Sequence, residues 1–281
     1  MEDRLFPKLP LKEWIESLVD FLTSNLSILF DAISSGIKSL ADVLVWLLSV
    51  GNISGSPYVL IVVIALIAWW VAGWKVGLFS LIGLGLINNL GYWPETVETL
   101  SLIVLSVVIS IIIGIPFGIW MSQKDSVQAT ITPILDFMQT MPAFVYLIPA
   151  VVFFGLGMVP GVIATIIFSM PPTVRLTNLG IRQVDAELIE ASNAFGSTTA
   201  QRLGKVQIPL AMPTIMAGIN QTIMLSLSMV VIASLVGAPG LGEIVYRSVT
   251  QVKIGLGFEG GLALVIIAMV LDRITQGANR R

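Results

Sequence analysis

The sequence predicts an all-α, polytopic integral membrane protein with about seven transmembrane helices and an N-terminal amphipathic helix. Three observations carry this expectation. Only 11% of the residues are charged against 56% hydrophobic, the charges are segregated so that long charge-free runs separate them, and turn signals cut those runs into helix-sized pieces. Soluble chains carry roughly a quarter charged residues, so the composition points to a bilayer. A charge at the hydrocarbon centre costs about 2.5 kcal/mol or more, and a crossing helix needs roughly 20 residues, so the charge-free runs mark the spans.

Taken in chain order, MEDRLFPKLPLKEWIESLVDFLTSN mixes charged and apolar positions without an apolar run leading to a small-residue cleavage site. No cleaved signal peptide is expected from it. In residues 25–50, Asp31, Ser35, Lys38 and Asp42 recur at i, i+4, i+7 and i+11 with Leu, Ile, Phe and Trp on the other side. That pattern predicts an interfacial amphipathic helix, with a transmembrane alternative open.

Charge-free runs then lie between Asp42 and Lys75, Lys75 and Glu95, Glu98 and Lys124, Asp136 and Arg175, and Lys205 and Glu243, with a shorter one between Glu259 and Asp272. GNISGSP at 51–57 trims the first, and Val159-Pro160-Gly161 divides the 137–174 run into two helices. Spans are expected near 57–74, 76–93, 98–121, 141–158, 161–177, 212–237 and 256–272, which makes seven. The organisation that follows is an N-terminal segment 1–56, a permeation domain 57–276 containing a polar loop at 185–212, and a tail 277–281.

Orientation follows from the basic residues. With 175–211 in the cytoplasm, Lys75, Lys124, Arg175, Arg182, Arg202, Lys205, Arg273, Arg280 and Arg281 lie inside. Arg247 and Lys253 lie outside, with Arg4, Lys8, Lys12 and Lys38 of the N-terminal segment. Nine against six overall becomes nine against two beside the spans from residue 57 onward, the bias the positive-inside rule describes.

The loop itself, ELIEASNAFGSTTAQRLGKVQIPLAM at 187–212, is a polar island between apolar stretches. Residues 185–195 form a good helix with acid in its first turn, and Gly196 stands where a left-handed cap is needed. Thr198 and Gln201 have capping-box spacing for a second short helix, with Pro209 and Pro213 expected to stop it before the next span. Two short helices meeting at a glycine corner are expected, with Ala191, Ser192, Ala194 and Ser197 keeping the corner's surface low enough to enter a groove on another protein. A plain cytoplasmic loop with local helicity is the other reading.

Several chemistries are excluded. Cysteine and histidine are both absent, so disulfides, Cys/His metal sites, thiol nucleophiles and histidine acid/base work are ruled out. The net charge of −2 without a basic block gives no case for nucleic-acid binding. Gly204-Lys205 is followed by Val206, and position 199 is Thr, so no phosphate-binding Walker loop exists here. Glu187 and Glu190 share a helix face but have no nucleophile or metal ligand beside them, which leaves them as loop surface.

Within 212–237, Asn220, Gln221, Ser226, Ser228 and Ser234 are candidates to line a translocation path, with Asn220, Gln221 and Ser228 preferred; interhelical hydrogen bonding uses the same residue types. Pro116 between Gly114 and Gly118, and Pro142 and Pro149 in the next span, can kink helices, while close packing explains the glycines equally well. Trp69, Trp70 and Trp74 beside Lys75 are read as an interfacial belt rather than an aromatic box for a cation. Asp136 would be the coupling acid of an ion-driven carrier, the competing class. A structural membrane subunit that transports nothing is a third.

The island resembles the EAA loop of ABC importer permeases, whose pattern is E-A-A, three residues, G, nine residues, I-x-L-P. Glu190-Ala191-Ser192 supplies the triplet, Gly196 follows after three residues, and nine more lead to Val206-Gln207-Ile208-Pro209. With PTIMAGINQTIMLSLSMVVIASLVGA and ALVIIAMVLDRITQ, the region 57–276 looks like the permease family of glycine betaine and related quaternary-amine importers, the OpuAB/ProW type. The resemblance implies the type I importer (MetI-like) fold in a prokaryotic plasma membrane, no catalysis and no cofactor on this chain, and ATP and Mg on a partner. It also implies a homodimer, two ABC ATPase subunits docked on the loop, and an extracytoplasmic substrate-binding protein.

Overall fold

The computed structural model describes residues 10–49 and 56–279, and within these every regular element is helical. Residues 51–55 of the expected turn, Arg4, Lys8, Arg280 and Arg281 lie outside the described residues. The expected division into crossings is revised by what the helices measure.

The first helix, α1, runs Leu11–Leu48, much longer than the interfacial segment expected at 25–50. Its second half does not stand apart from the bundle. Ile37 and Ala41 are buried in the main core, and the Ala41 carbonyl accepts a 3.3 Å hydrogen bond from the buried Ser101 hydroxyl. Phe30 stacks on Phe153 with ring centroids 4.7 Å apart. The reason is legible along one face: Phe30, Ser34, Ile37, Ala41 and Leu44 recur every three or four residues, beside the polar face of Asp31, Ser35, Lys38 and Asp42. The second half of α1 is thus packed into the bundle along one face and exposed along the rest.

Helices α2 (Ser56–Ala72) and α3 (Trp74–Asn89) turn back on each other at Gly73, which has φ +97°. They approach closely because a Cβ at Gly77 would lie 2.7 Å from the Trp69 Cβ. Seventeen and sixteen residues give about 24–26 Å of helix, short of the roughly 30 Å hydrocarbon thickness. Helix α4 (Trp93–Gln123) is long enough and continues through Pro116. The next expected span is instead α5 (Asp125–Thr140), a short 3₁₀ turn and α6 (Leu147–Phe154), bent by 107° where Met141-Pro142 breaks the run. Pro142 cannot continue a helix from the residue before it, which accounts for the bend.

Helices α7 (Met158–Ser169) and α8 (Pro171–Arg182) join into a run of 25 residues. The break before it falls at Gly155 and Gly157, both at positive φ, and not at Val159-Pro160-Gly161. Pro160 sits in the first turn of α7, where a missing N–H leaves nothing unpaired. After the island come α11 (Ile208–Ala233), α12 (Leu241–Thr250) and α13 (Ile254–Asn279). Among the described residues, the seven expected crossings become four helices of full span length, a bent fifth, and the short pair α2 and α3.

Glycine sets the packing of the centre. A Cβ at Gly118 of α4 would meet the Thr177 Cβ of α8 at 2.5 Å, and one at Gly218 of α11 would meet the Pro172 carbonyl of α8 at 3.0 Å. In lipid, where apolar association has no hydrophobic drive, such close backbone approach is what holds helices together. Hydroxyls reinforce it: Thr173 and Thr222 bond at 2.8 Å, Thr222 donates to the Ser169 carbonyl at 2.8 Å, and Ser226 donates to the Ser169 hydroxyl at 3.0 Å. At the end of the bundle away from the island, Tyr92 donates a 2.6 Å hydrogen bond to Glu259.

That bond fixes a pH dependence. The Glu259 carboxylate, first through the hydrogen bond and then, after burial, through its charge, pushes the Tyr92 phenol up to about 12. A raised folded-state value means the contribution to stability is present below the ordinary tyrosine value of 10 and is lost as pH rises through about 12. Phenolate absorbance of the Glu259→Gln variant should therefore show Tyr92 titrating back toward its ordinary value. An unchanged titration would remove Glu259 as the cause.

Candidate functional site

The island folds as a corner standing off the bundle. Helix α9 spans Ala186–Ala194 with no buried residue, and Gly196 follows at φ +77°, the left-handed conformation expected of it. The Gly196 amide donates to the Asn193 carbonyl at 2.9 Å and the Ser197 amide to the Ser192 carbonyl at 3.2 Å, so the last carbonyls of α9 are satisfied. Helix α10 (Thr199–Arg202) then starts on a complete capping box: the Gln201 amide donates to Thr198 Oγ1 and the Thr198 amide to Gln201 Oε1.

Side chains lock the corner. The Ser192 and Ser197 hydroxyls bond at 2.5 Å, and Arg202 donates across to Asn193 Oδ1 at 3.0 Å. Ser192 and Ser197 are therefore braces, while Glu190, Ala191, Ala194 and Gly196 form the exposed surface. Phe195 stands at its tip, 93% exposed. The sequence reading passed over this residue as a helix end. Its signal was a large apolar side chain beside a turn glycine inside a polar segment, a combination that costs solubility unless something covers it.

Pro209 and Pro213 do not stop the second helix. From α10 the chain passes through a π turn, Leu203–Gln207, directly into α11, and Thr199–Val236 forms one run of 38 residues. Pro209 falls in the first turn of α11, where its missing N–H leaves nothing unpaired, and α11 continues through Pro213 one turn later. Val206 and Ile208 are half-buried on this rod and Pro209 is exposed. At its other end the Val236 carbonyl accepts from the Gly157 amide at 2.8 Å.

Neighbouring contacts steady the base of the corner. Arg182, at the end of α8, donates to the Met121 carbonyl at 2.9 Å, to Asn178 at 3.1 Å, and pairs with Asp125 at 2.7 Å. One guanidinium thus ties the α4–α5 turn to the helix that leads into the island. Asp136 is paired with Arg175 and its side chain is 56% exposed, so the one acid proposed for ion coupling is a surface partner of an arginine. Lys75 lies over Trp74 at 6.0 Å, in keeping with a belt residue at a helix end.

The path candidates separate into two groups. Gln221 and Ser228 lie exposed on one stripe of α11 together with Met224. Asn220 turns the other way, toward Asp272 at 3.4 Å, which also accepts from Gln276 at 2.7 Å. Ser226 and Ser234 are buried, Ser226 in the hydroxyl ladder to α8. Asn220 and Ser226 thus make interhelical hydrogen bonds, with the Asn220 carbonyl oxygen left buried without a partner, while Gln221 and Ser228 stay on the open stripe.

A bundle of apolar helices held by glycine contacts, several long enough to cross a membrane, with a corner on a continuous rod, defines a polytopic membrane protein. The comparisons make this specific: residues 110–281 match the family described as binding-protein-dependent transport system inner membrane component, and the chain belongs to that family. It is 56% identical over 278 residues to the glycine betaine transport system permease protein OpuAB of Bacillus subtilis, covering 98% of this chain and 95% of that one. Similarity to the glycine betaine/carnitine transport permease protein GbuB of Listeria monocytogenes is 50% over 98% of this chain and 97% of that one, and to ProW of Escherichia coli 45% over 97% and 76%. The fold matches the inward-facing MetNI methionine ABC transporter with TM-score 0.62 at 21% identity, over 67% of this chain and 94% of that one.

Proposed function

We propose that this chain is the permease of an ATP-driven importer of glycine betaine or a related quaternary amine such as proline betaine, carnitine or choline. Two copies form the pathway, with Gln221 and Ser228 on the stripe that lines it. A separate ABC ATPase, carrying ATP and Mg, receives the corner built from Glu190, Ala191, Ser192, Ala194, Gly196, Ser197, Val206, Ile208 and Pro209. An extracytoplasmic binding protein delivers substrate, and the island lies in the cytoplasm. Accumulation of a compatible solute would serve osmoprotection.

The observation that carries the reading is the similarity over nearly the full length to permeases of glycine betaine systems, 56% and 50% identical in two of them. The corner supports the division of labour, because it offers a rigid, apolar-tipped surface and no phosphate-binding loop. Labelled glycine betaine uptake, measured with the cognate ATPase and binding protein, tests it. Uptake that requires ATP is expected; ion-driven uptake by the chain alone in proteoliposomes would overturn the reading.

Phe195 gives a second check. Removing an exposed aromatic anchor at a protein interface costs about 2 kcal/mol or more of binding. Phe195→Ala should therefore weaken copurification of the ATPase and lower uptake, while membrane insertion is unchanged. A cysteine-free chain also permits single-site crosslinking: cysteines introduced at Ala194 or Ser197 should trap the ATPase, and one at Val249 at the opposite end should not.

A further inference from the structure

At the end of the bundle away from the island, a cavity of about 720 Å³ opens between α1, the start of α4 and two loops. Its size falls within the roughly 300–1,000 Å³ of small-ligand sites. Lys38, Asp42 and Trp46 line it from α1, Glu98 from α4, Phe154 from the end of α6, and Gly157 from the loop that leads into α7. The loop after α11 completes the wall, and the hydrogen bond from Gly157 to Val236 ties the two loops together.

The charges here are unspent. Among the described residues the ion pairs lie elsewhere, and neither Lys38, Asp42 nor Glu98 joins one. Lys38 and Asp42 are spaced one helical turn apart, the arrangement that ordinarily invites pairing. Phe154 is held in place by an edge contact with Phe30 at 5.5 Å. A half-buried carboxylate, an exposed carboxylate, an ammonium and an indole therefore share one chamber without satisfying one another.

We infer that this cavity is a subsite for a zwitterionic quaternary amine on its way into the pathway, an inference that rests on the transport reading above. A trimethylammonium group cannot donate a hydrogen bond, so it is held by charge and by an aromatic face, which Asp42, Glu98 and Trp46 supply. Lys38 takes the carboxylate. An inorganic cation has no carboxylate to pair with Lys38 and no methyl surface to lay on Trp46. Because the walls include the loops that begin α7 and end α11, occupancy is felt by the helices that pass through the centre of the bundle.

The test uses the complete permease–ATPase complex in nanodiscs without the binding protein, with glycine betaine as the probe and saturation-transfer NMR of its methyl protons as the readout. The wild-type complex should give a signal that Trp46→Ala and Glu98→Gln each reduce about fivefold or more. Lys38→Gln should reduce the glycine betaine signal while leaving that of choline, which has no carboxylate. Equal loss of both signals, no wild-type signal, or unchanged signals in all three variants would each overturn the subsite. Uptake by the same wild-type complex with its binding protein is run in parallel: uptake without the NMR signal overturns the subsite alone, and absence of uptake overturns the transport reading beneath it.

Discussion

Gly196→Val should lower glycine betaine uptake about tenfold or more while the chain still reaches the membrane in normal amount. Gly196 holds φ +77°. A left-handed conformation costs an ordinary L-residue roughly 1–2 kcal/mol, and a β-branched side chain is worse placed still. Nothing lies within 4 Å of a Cβ built at this position, so the effect is conformational and not steric crowding. The strained corner would relax by opening the Ser192–Ser197 contact and swinging Phe195 off its axis. Asparagine tolerates the same conformation, so Gly196→Asn should retain most of the activity. Labelled uptake with immunoblotting of membranes decides it, and full activity in the valine variant would show that the corner's shape is unimportant.

The second large effect is structural. Gly118→Leu should prevent accumulation of folded protein, because its Cβ would sit 2.5 Å from the Thr177 Cβ and 2.7 Å from the Val174 carbonyl of α8. A backbone carbonyl in a central helix cannot step aside, so α4 and α8 must part. Even Gly118→Ala should destabilise by about 1–3 kcal/mol, the usual cost of overpacking. Gly85→Ala is the matched control, since a Cβ there meets nothing within 4 Å. Thermal unfolding of the detergent-solubilised variants measures the difference; equal transitions for the two alanine variants would remove close approach as the reason for Gly118.

The local chemistry of the island was readable because it obeys short-range rules. Thr198 and Gln201 three apart, and Gly196 after a nine-residue helix, specify their hydrogen bonds without help from the rest of the fold. Pro209 and Pro213 misled because the sequence does not announce the π turn at Leu203–Gln207, which re-phases the helix around them. Asn220 was ambiguous for a different reason. Polarity in an apolar span marks a need for a partner, and only the three-dimensional arrangement brings Asp272 of α13 within reach of it. The long α1 was half legible: its polar face was plain, but the burial of Ile37 and Ala41 depends on Ser101, sixty residues away.

The run Thr199–Val236 extends for about 57 Å at 1.5 Å per residue and carries the corner at one end and the Val236–Gly157 bond at the other. From Ile208 to Ala233 the α-helix is unbroken, so this stretch tilts as one piece and its two ends move in opposite senses. Whatever pushes Phe195 therefore moves the opposite rim in the contrary sense.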